Sequence, residues 1–342
     1  MEQLLSRDEF RNGVFQRDNH LCVICGNPAT AAHHIVERRL FSDGGYYINN
    51  GASLCDLHHW MAESTELSCE EIRAACGIKS VVLPEHLYPD MRYDKWGNPF
   101  ISDAFRLMGE LMDDESVRKV IKGDFSNRVK FPRTYHLPYS PSVSKDDKQM
   151  ADDSFFHGKN VVLTMKMDGE NTTMYRDSIH ARSLDSRSHP SRDWVKNLWS
   201  EKVAYKIDAR LRICGENLYA KHSISYKKLI SYFMVFSVWE DLRCLDWDDT
   251  QVFSEILELK HVPVLYRGLY DRRLVERIAS DVVANGYCGE DCEGVVLRVE
   301  DDFHLRDYSR AVGKYVRANH VQTHSHWTRT WEKNQLDKQV KV

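Results

Sequence analysis

A chain of 342 residues with 42% hydrophobic and 29% charged content is long enough for two domains with filled cores and too apolar for a disordered polymer. No apolar run approaches the roughly 20 residues of a membrane span, and MEQLLSRDEFRNG has neither the basic start nor the apolar core of a signal peptide. Nine cysteines, odd in number and unevenly spaced, fit a reduced, cytoplasmic compartment, and the formal net charge of −4 confines any nucleic-acid surface to a local basic patch.

Residues 1–88 hold the densest metal chemistry. CVIC places Cys22 and Cys25 two residues apart, and LCDLHH supplies Cys55, His58 and His59 about thirty residues later. Zinc prefers four soft or borderline ligands in a tetrahedron, which Cys22, Cys25, Cys55 and His58 supply at a usual spacing. Residues 89–128 form a linker that begins with Pro, Gly and aromatics and continues through a helical pattern, FRLMGELMDDESVRKVI.

From residue 129 to 318 strand-like runs alternate with turns: VVLTMKM, RLRICGENLYA, YFMVFSVW, EGVVLRV and GKYVRA. Asp168-Gly169, between VVLTMKM and NTTMYRD, reads as a two-residue hairpin turn. At the start of this region, KFPRTYHLPYS carries Lys130, Arg133, Tyr135 and His136, a basic-aromatic mixture suited to a single strand. Residues 319–342 read as a short polar helix and tail.

Two resemblances follow from these motifs. Residues 17 to 63, with AAHHIVERR and INNGASLC bracketed by the cysteine pairs, resemble an HNH (ββα-metal) nuclease module. The resemblance implies that His34 is the general base, that Asn50 orients it, and that His33 and His59 bind a catalytic divalent metal. It also implies a structural zinc on Cys22, Cys25, Cys55 and His58, although many members carry a second cysteine where this chain has His58. A neutral histidine base beside a hard metal suits hydrolysis of a phosphodiester.

The second resemblance is to ATP-dependent RNA ligases of the RNA ligase 2 type, carried by MKMDGEN, HARS, ICGENLYA, YFMVFSVW, DCEGVVLRV and VGKYVR in that order. It implies that Lys166 is the nucleophile that forms lysyl-AMP from ATP, and that Arg182 contacts the nucleotide and later the RNA end. Glu216 then holds the ribose, Phe236 stacks on the base, Glu293 helps to hold Mg²⁺ or Mn²⁺, and Lys314 contacts the transferring phosphate. The family's pair of lysines one residue apart is broken at Val316, with Arg317 next in line. Asp168, Asn171 and Lys221 are plausible neighbours, each with a turn or surface role as alternative. An unperturbed lysine is mostly protonated at neutral pH, so the site must favour the free amine.

The expected fold is α+β: a zinc-bound ββα-metal module followed by an antiparallel β-rich nucleotidyltransferase domain with flanking helices. About 25 residues follow the last motif, fewer than the roughly one hundred of an OB domain, which favours a compact RNA-end or nick sealer. Expected partners are RNA and DNA ends or nicks and no membrane; the sequence sets no oligomeric state. Two other readings stay open: an HNH endonuclease whose C-terminal domain only recognises ends, and a nucleotidyltransferase with an acceptor other than nucleic acid.

Overall fold

The computed structural model describes residues 3–103, 105–141, 143, 147–184, 189–287, 291–317 and 331–338. They fall into two units, Met1–Val129 and Lys130–Val342. Among the described residues no helix is long and apolar enough to cross a membrane.

The first unit opens with helix α1 (Arg7–Arg17), started by a reciprocal cap in which Ser6 Oγ accepts the Glu9 N–H and the Glu9 carboxylate accepts the Ser6 N–H. Strands β1 (Ala31–His34) and β2 (Gly51–Leu54) pair antiparallel, with His33 opposite Ala52 and His34 opposite Gly51. Gly51 lets α1 close onto the pair, since a Cβ there would sit 2.4 Å from Val14 and 2.8 Å from Phe10. Helix α2 (Asp56–Glu63) follows directly, and α3 (Cys69–Ala75) starts at a second reciprocal cap on Ser68.

The linker is less helical than its pattern suggests. FRL forms strand β3 (Phe105–Leu107), paired in parallel with β4 (Asp124–Ser126), and only Glu115–Val120 forms an α-helix, α4. Gly109 and Asp114 break the pattern. Gly109 donates its N–H to the Asn98 side chain (2.7 Å), and Asp114 caps the helix through the Ser116 N–H (2.8 Å).

The second unit is built on two sheets. Its elements in order are β5 (Tyr135–His136), β6 (Asn160–Lys166), β7 (Glu170–Tyr175), β8 (Ile179–Ala181), α5 (Asp193–Lys202), β9 (Leu211–Asn217) and β10 (Phe233–Glu240). Then come β11 (Arg243–Cys244), α6 (Trp247–Ile256), β12 (Lys260–His261), β13 (Val264–Leu269), α7 (Arg272–Asn285), β14 (Gly294–Val299), β15 (Phe303–His304), α8 (Tyr308–Ala311) and β16 (Val312–Val316). One sheet runs β13-β6-β14-β16-β5; the other runs β15-β11-β10-β9-β7-β8, with β12 beside β10. Pairing is antiparallel except for β16 with β5 and β10 with β12. A single apolar cluster draws on both sheets and on α7, including Leu163, Trp239, Val275 and Val295. The architecture is α+β.

The hairpin expectation fails. β6 and β7 do not pair: β6 lies between β13 and β14 in one sheet, and β7 lies between β8 and β9 in the other. Asp168-Gly169 is a crossover from sheet to sheet. Five consecutive residues of β6 are buried, the mark of a central strand covered on both faces, so burial rather than turn chemistry chose its partners. The helix and tail expected over 319–342 lie mostly outside the described residues. Residues 331–338 form no helix but bridge Lys333 to Ala220 and Leu336 to Leu229. Residues 319–330 and 339–342 lie outside the described residues.

Candidate functional site

In the first unit the ββα order brings two metal-ligand sets together. The thiols of Cys22, Cys25 and Cys55 and a ring nitrogen of His58 lie within 4.8 Å of one another. Cys25 and Cys55 Sγ are 3.8 Å apart, and His58 Nδ1 is 3.2 Å from Cys55 Sγ and 3.5 Å from Cys22 Sγ. A tetrahedron with Zn–S near 2.3 Å has edges of about this length, so the donors fit zinc. Burial would raise the Cys22 thiol, but the backbone amides of Cys55, Cys25 and Ile24 and the Cys25 thiol outweigh it and bring the pKa to about 7.

The second set is His33, His59 and Glu63. Glu63 is a residue that sequence reasoning missed, although its place one turn after His59 on α2 was a readable i, i+4 signal. Its Oε1 lies 3.3 Å from His33 Nδ1 and 3.4 Å from His59 Nε2. His33 Nε2 is buried without a hydrogen-bond partner, an arrangement that suits a bound cation. Burial, helped by the Lys95 charge, drives His33 down to about 3 and His34 to about 4, so both imidazoles stay neutral. Lys95 was also missed. Its buried ammonium donates to Glu37 (3.1 Å) and to the His34 carbonyl (3.3 Å) and lies 3.2 Å from Glu63.

His34 stacks on Phe10, with ring centroids 4.4 Å apart, and meets the edge of Tyr46. The hydrogen bonds of the Asn50 side chain do not go to the His34 ring. Its side chain accepts the Val36 N–H (2.9 Å) and donates to the Val36 and Gly45 carbonyls (3.0 and 3.1 Å), so it fastens the backbone on either side of the loop after the histidines. Any orientation of His34 by Asn50 would therefore run through that backbone.

In the second unit a cavity of about 620 Å³ is lined by Lys166, Arg182, Glu216, Phe236 and Lys314 together with Asn171 and Arg133. Lys166 ends β6 opposite Gly294 of β14, which sets Glu293, the residue before, against it, and the Lys166 ammonium donates to Glu293 Oε2. Gly294 is required by close approach: a Cβ would meet the Tyr315 carbonyl at 2.0 Å. Lys314 lies across β14 from Thr164, in the same row as Val296.

The opposite wall comes from β9 and β10. Glu216 Oε1 accepts the Gly169 N–H at 3.1 Å, which ties the second sheet to the crossover behind Lys166. Phe236 sits where the β9–β10 register slips between Val235 and Ser237, and it lines the cavity with Phe131 at its edge (5.3 Å). A bulge of this kind re-aims one side chain out of the strand alternation.

The electrostatics correct one expectation. Burial alone would lower Lys166, but Glu293 and Glu216 outweigh it and raise its pKa, so this state holds the ammonium rather than the free amine. Glu216 in turn is pushed up to about 8 by burial, against the pull of Lys166 and with the push of Glu293.

Other expected neighbours separate. Asp168 accepts from Ser223 N and Oγ and Ile224 N at 2.7–2.8 Å, a brace for the 222–224 loop. Lys221 pairs with Glu332 (2.9 Å) at the surface, and Arg317 is not among the cavity-lining residues. His136 is buried, so it cannot stack on a strand as the basic-aromatic segment suggested. Asp147 and His222 line the cavity and carried no sequence signal.

Residues 159–316, just under half of the chain, match the model of the RNA ligase family. Among solved structures, the chain is similar to a Naegleria gruberi RNA ligase variant with ATP and Mn, at 16% identity and a TM-score of 0.39 over 58% of this chain and 59% of that one. Another variant of that ligase with ATP and Mn gives 16% identity, a TM-score of 0.36, and coverage of 57% and 62%. An archaeal ATP-dependent RNA ligase gives 17%, 0.36, and 55% and 48%. The chain thus spans less than two thirds of each. No curated protein matches it.

Proposed function

We propose that this chain is an ATP-dependent RNA ligase that joins 3′-OH to 5′-phosphate ends, with an HNH module as its first unit that acts as a metal-dependent nuclease or as a nucleic-acid-binding platform. The observation that carries the reading is the convergence of Lys166, Arg182, Glu216, Phe236 and Lys314 on one cavity, with Glu293 against Lys166, inside the segment that matches the RNA ligase family.

The chemistry follows from those positions. Lys166 first sheds a proton, and its Nζ then attacks the α-phosphorus of ATP; an N–P bond forms and the bond to pyrophosphate breaks. The Glu216 carboxylate suits a pair of ribose hydroxyls and the Phe236 ring suits the base. In the second step a 5′-phosphate oxygen of RNA takes the AMP from Lys166, and the N–P bond breaks. In the third a 3′-OH attacks the activated 5′ phosphorus and AMP departs, with Arg182 and Lys314 opposite the phosphates. Glu293 would hold a divalent cation, whose part is to neutralise phosphoryl charge. Buried carboxylates beside a phosphate cavity are a hard-cation donor set.

Incubation with ATP labelled at the α-phosphate tests the reading. A covalent AMP adduct at Lys166 that 5′-phosphorylated RNA discharges is expected. Absence of an adduct would return the chain to the endonuclease reading, and discharge only to a non-nucleic-acid acceptor would replace RNA as substrate. For the first unit, His34→Ala is expected to abolish metal-dependent strand cleavage and spare sealing. A wild-type protein that nicks neither RNA nor DNA with Mg²⁺, Mn²⁺ or Ni²⁺ leaves that unit as a binding platform.

A further inference from the structure

We infer that Asp147, backed by His136, is a positioning residue that aims the Lys314 ammonium at the phosphates of the bound nucleotide. The inference rests on the ligase reading of the cavity.

β5 runs parallel to β16 with His136 opposite Lys314, and the Leu137 N–H donates to the Lys314 carbonyl at 2.8 Å. The chain returns along the other side of β5: the His136 N–H donates to the Lys148 carbonyl and the Met150 N–H to the His136 carbonyl, each at 2.8 Å. Asp147 is therefore one residue from backbone pinned to the strand that pairs with β16. There its Oδ1 accepts from Lys314 Nζ at 2.9 Å, and its Oδ2 lies 3.3 Å from His136 Nε2. The other imidazole nitrogen, Nδ1, is 3.0 Å from Ser140 Oγ, which accepts the Val316 N–H at 3.2 Å. The chain of contacts leaves β16 two residues past Lys314 and returns to the end of its side chain.

A lysine ammonium rides on a flexible stem and has three donors. One carboxylate on one donor fixes the direction of the stem and leaves two donors for phosphate oxygens. Asp147 and Lys314 both line the cavity, so the fixed ammonium faces the space that the nucleotide enters. His136 is 2% exposed and Ser140 8%, so the backing is held by the core. A displacement of about 1 Å in a group that contacts the reacting phosphate costs on the order of 100-fold in rate.

The test compares wild type, Asp147→Ala, Asp147→Asn, Lys314→Ala and the Asp147→Ala/Lys314→Ala pair in the full chain. It has two readouts: the rate of AMP-adduct formation at saturating ATP, and acetylation of Lys314 by a small amine-reactive ester, followed by mass spectrometry. Asp147→Ala is expected to slow adduct formation by about 10- to 100-fold and to speed Lys314 acetylation several-fold. Asp147→Asn keeps the shape and should fall between. The double variant should be no slower than Lys314→Ala alone, since Asp147 acts through that lysine. Equal acetylation in wild type and Asp147→Ala, or losses that multiply in the double variant, would overturn the assignment. If acetylation rises in Asp147→Ala while wild type forms no adduct, the ligase reading falls and the positioning of Lys314 stands.

Discussion

Lys166 meets two carboxylates before any phosphate is present, and the balance of charge around it governs when it can act. Because Glu293 and Glu216 raise its pKa, adduct formation at saturating ATP is expected to climb with pH as the ammonium gives up its proton. Glu293→Gln removes one anion, so the midpoint of that climb should move to lower pH even though the rate itself drops; an unmoved midpoint in quenched-flow profiles assigns the titration to another group. Lys166→Ala should form no adduct yet still seal pre-adenylylated ends, more slowly, whereas Glu293→Ala should impair both reactions. Glu216 adds a stability effect. Its folded pKa near 8 exceeds the ordinary 4.5, so the folded state keeps a proton that the unfolded chain releases. The stabilisation is complete below about pH 4.5 and is lost as pH rises through 8. Thermal midpoints of the nucleotide-free protein should fall across that window, and Glu216→Gln should flatten the fall. At this scale the sequence revealed residues that belong to ordered motifs and hid those defined only by tertiary contact. Asp147 reaches Lys314 across 167 residues and Lys95 reaches Glu37 across 58, and no spacing rule connects them.

Among the elements, the crossover Met167–Gly169 matters most, because it carries the chain from the sheet that holds Lys166 to the one that holds Glu216. Strand content was legible there from β-branched and apolar runs; the partners were not, since alternation looks alike whether the next strand pairs or leaves for another sheet. Gly169 is needed for closeness rather than for its torsion angles: a Cβ would lie 2.4 Å from the Asn217 carbonyl. Gly169→Ala should therefore destabilise the second unit by about 1–3 kcal/mol and slow adduct formation, as seen in urea titration beside the labelled-ATP assay. The Phe236 bulge was equally invisible in sequence, although its aromatic residue was not. Phe236→Ala should weaken nucleotide binding by about 1–3 kcal/mol, the usual worth of base–aromatic stacking, measured by calorimetry with a non-hydrolysable ATP analogue.

For the whole molecule, the two units have separate cores and separate candidate sites. One zinc per chain on Cys22, Cys25, Cys55 and His58 should stabilise the first unit, because ligation contributes folding free energy directly. Elemental analysis should return that stoichiometry, and a chelator should remove a melting transition that Cys22→Ser also lacks. Adduct formation, which the ligase reading assigns to the second unit, should survive Cys22→Ser, and should return after chelation once the chelator is removed and Mg²⁺ alone is restored. The second unit depends on residues far along the chain. Buried Asn334 accepts the Tyr226 N–H at 2.9 Å and donates to the Leu218 carbonyl at 2.9 Å, while the Tyr226 hydroxyl accepts the Asp168 N–H at 3.0 Å. The turn beside Lys166 is thus finished by residues more than 160 positions further along the chain. A second unit without residues 331–338 would lack the Asn334 contacts to Tyr226 and Leu218, and would present Lys166 to ATP on a looser turn.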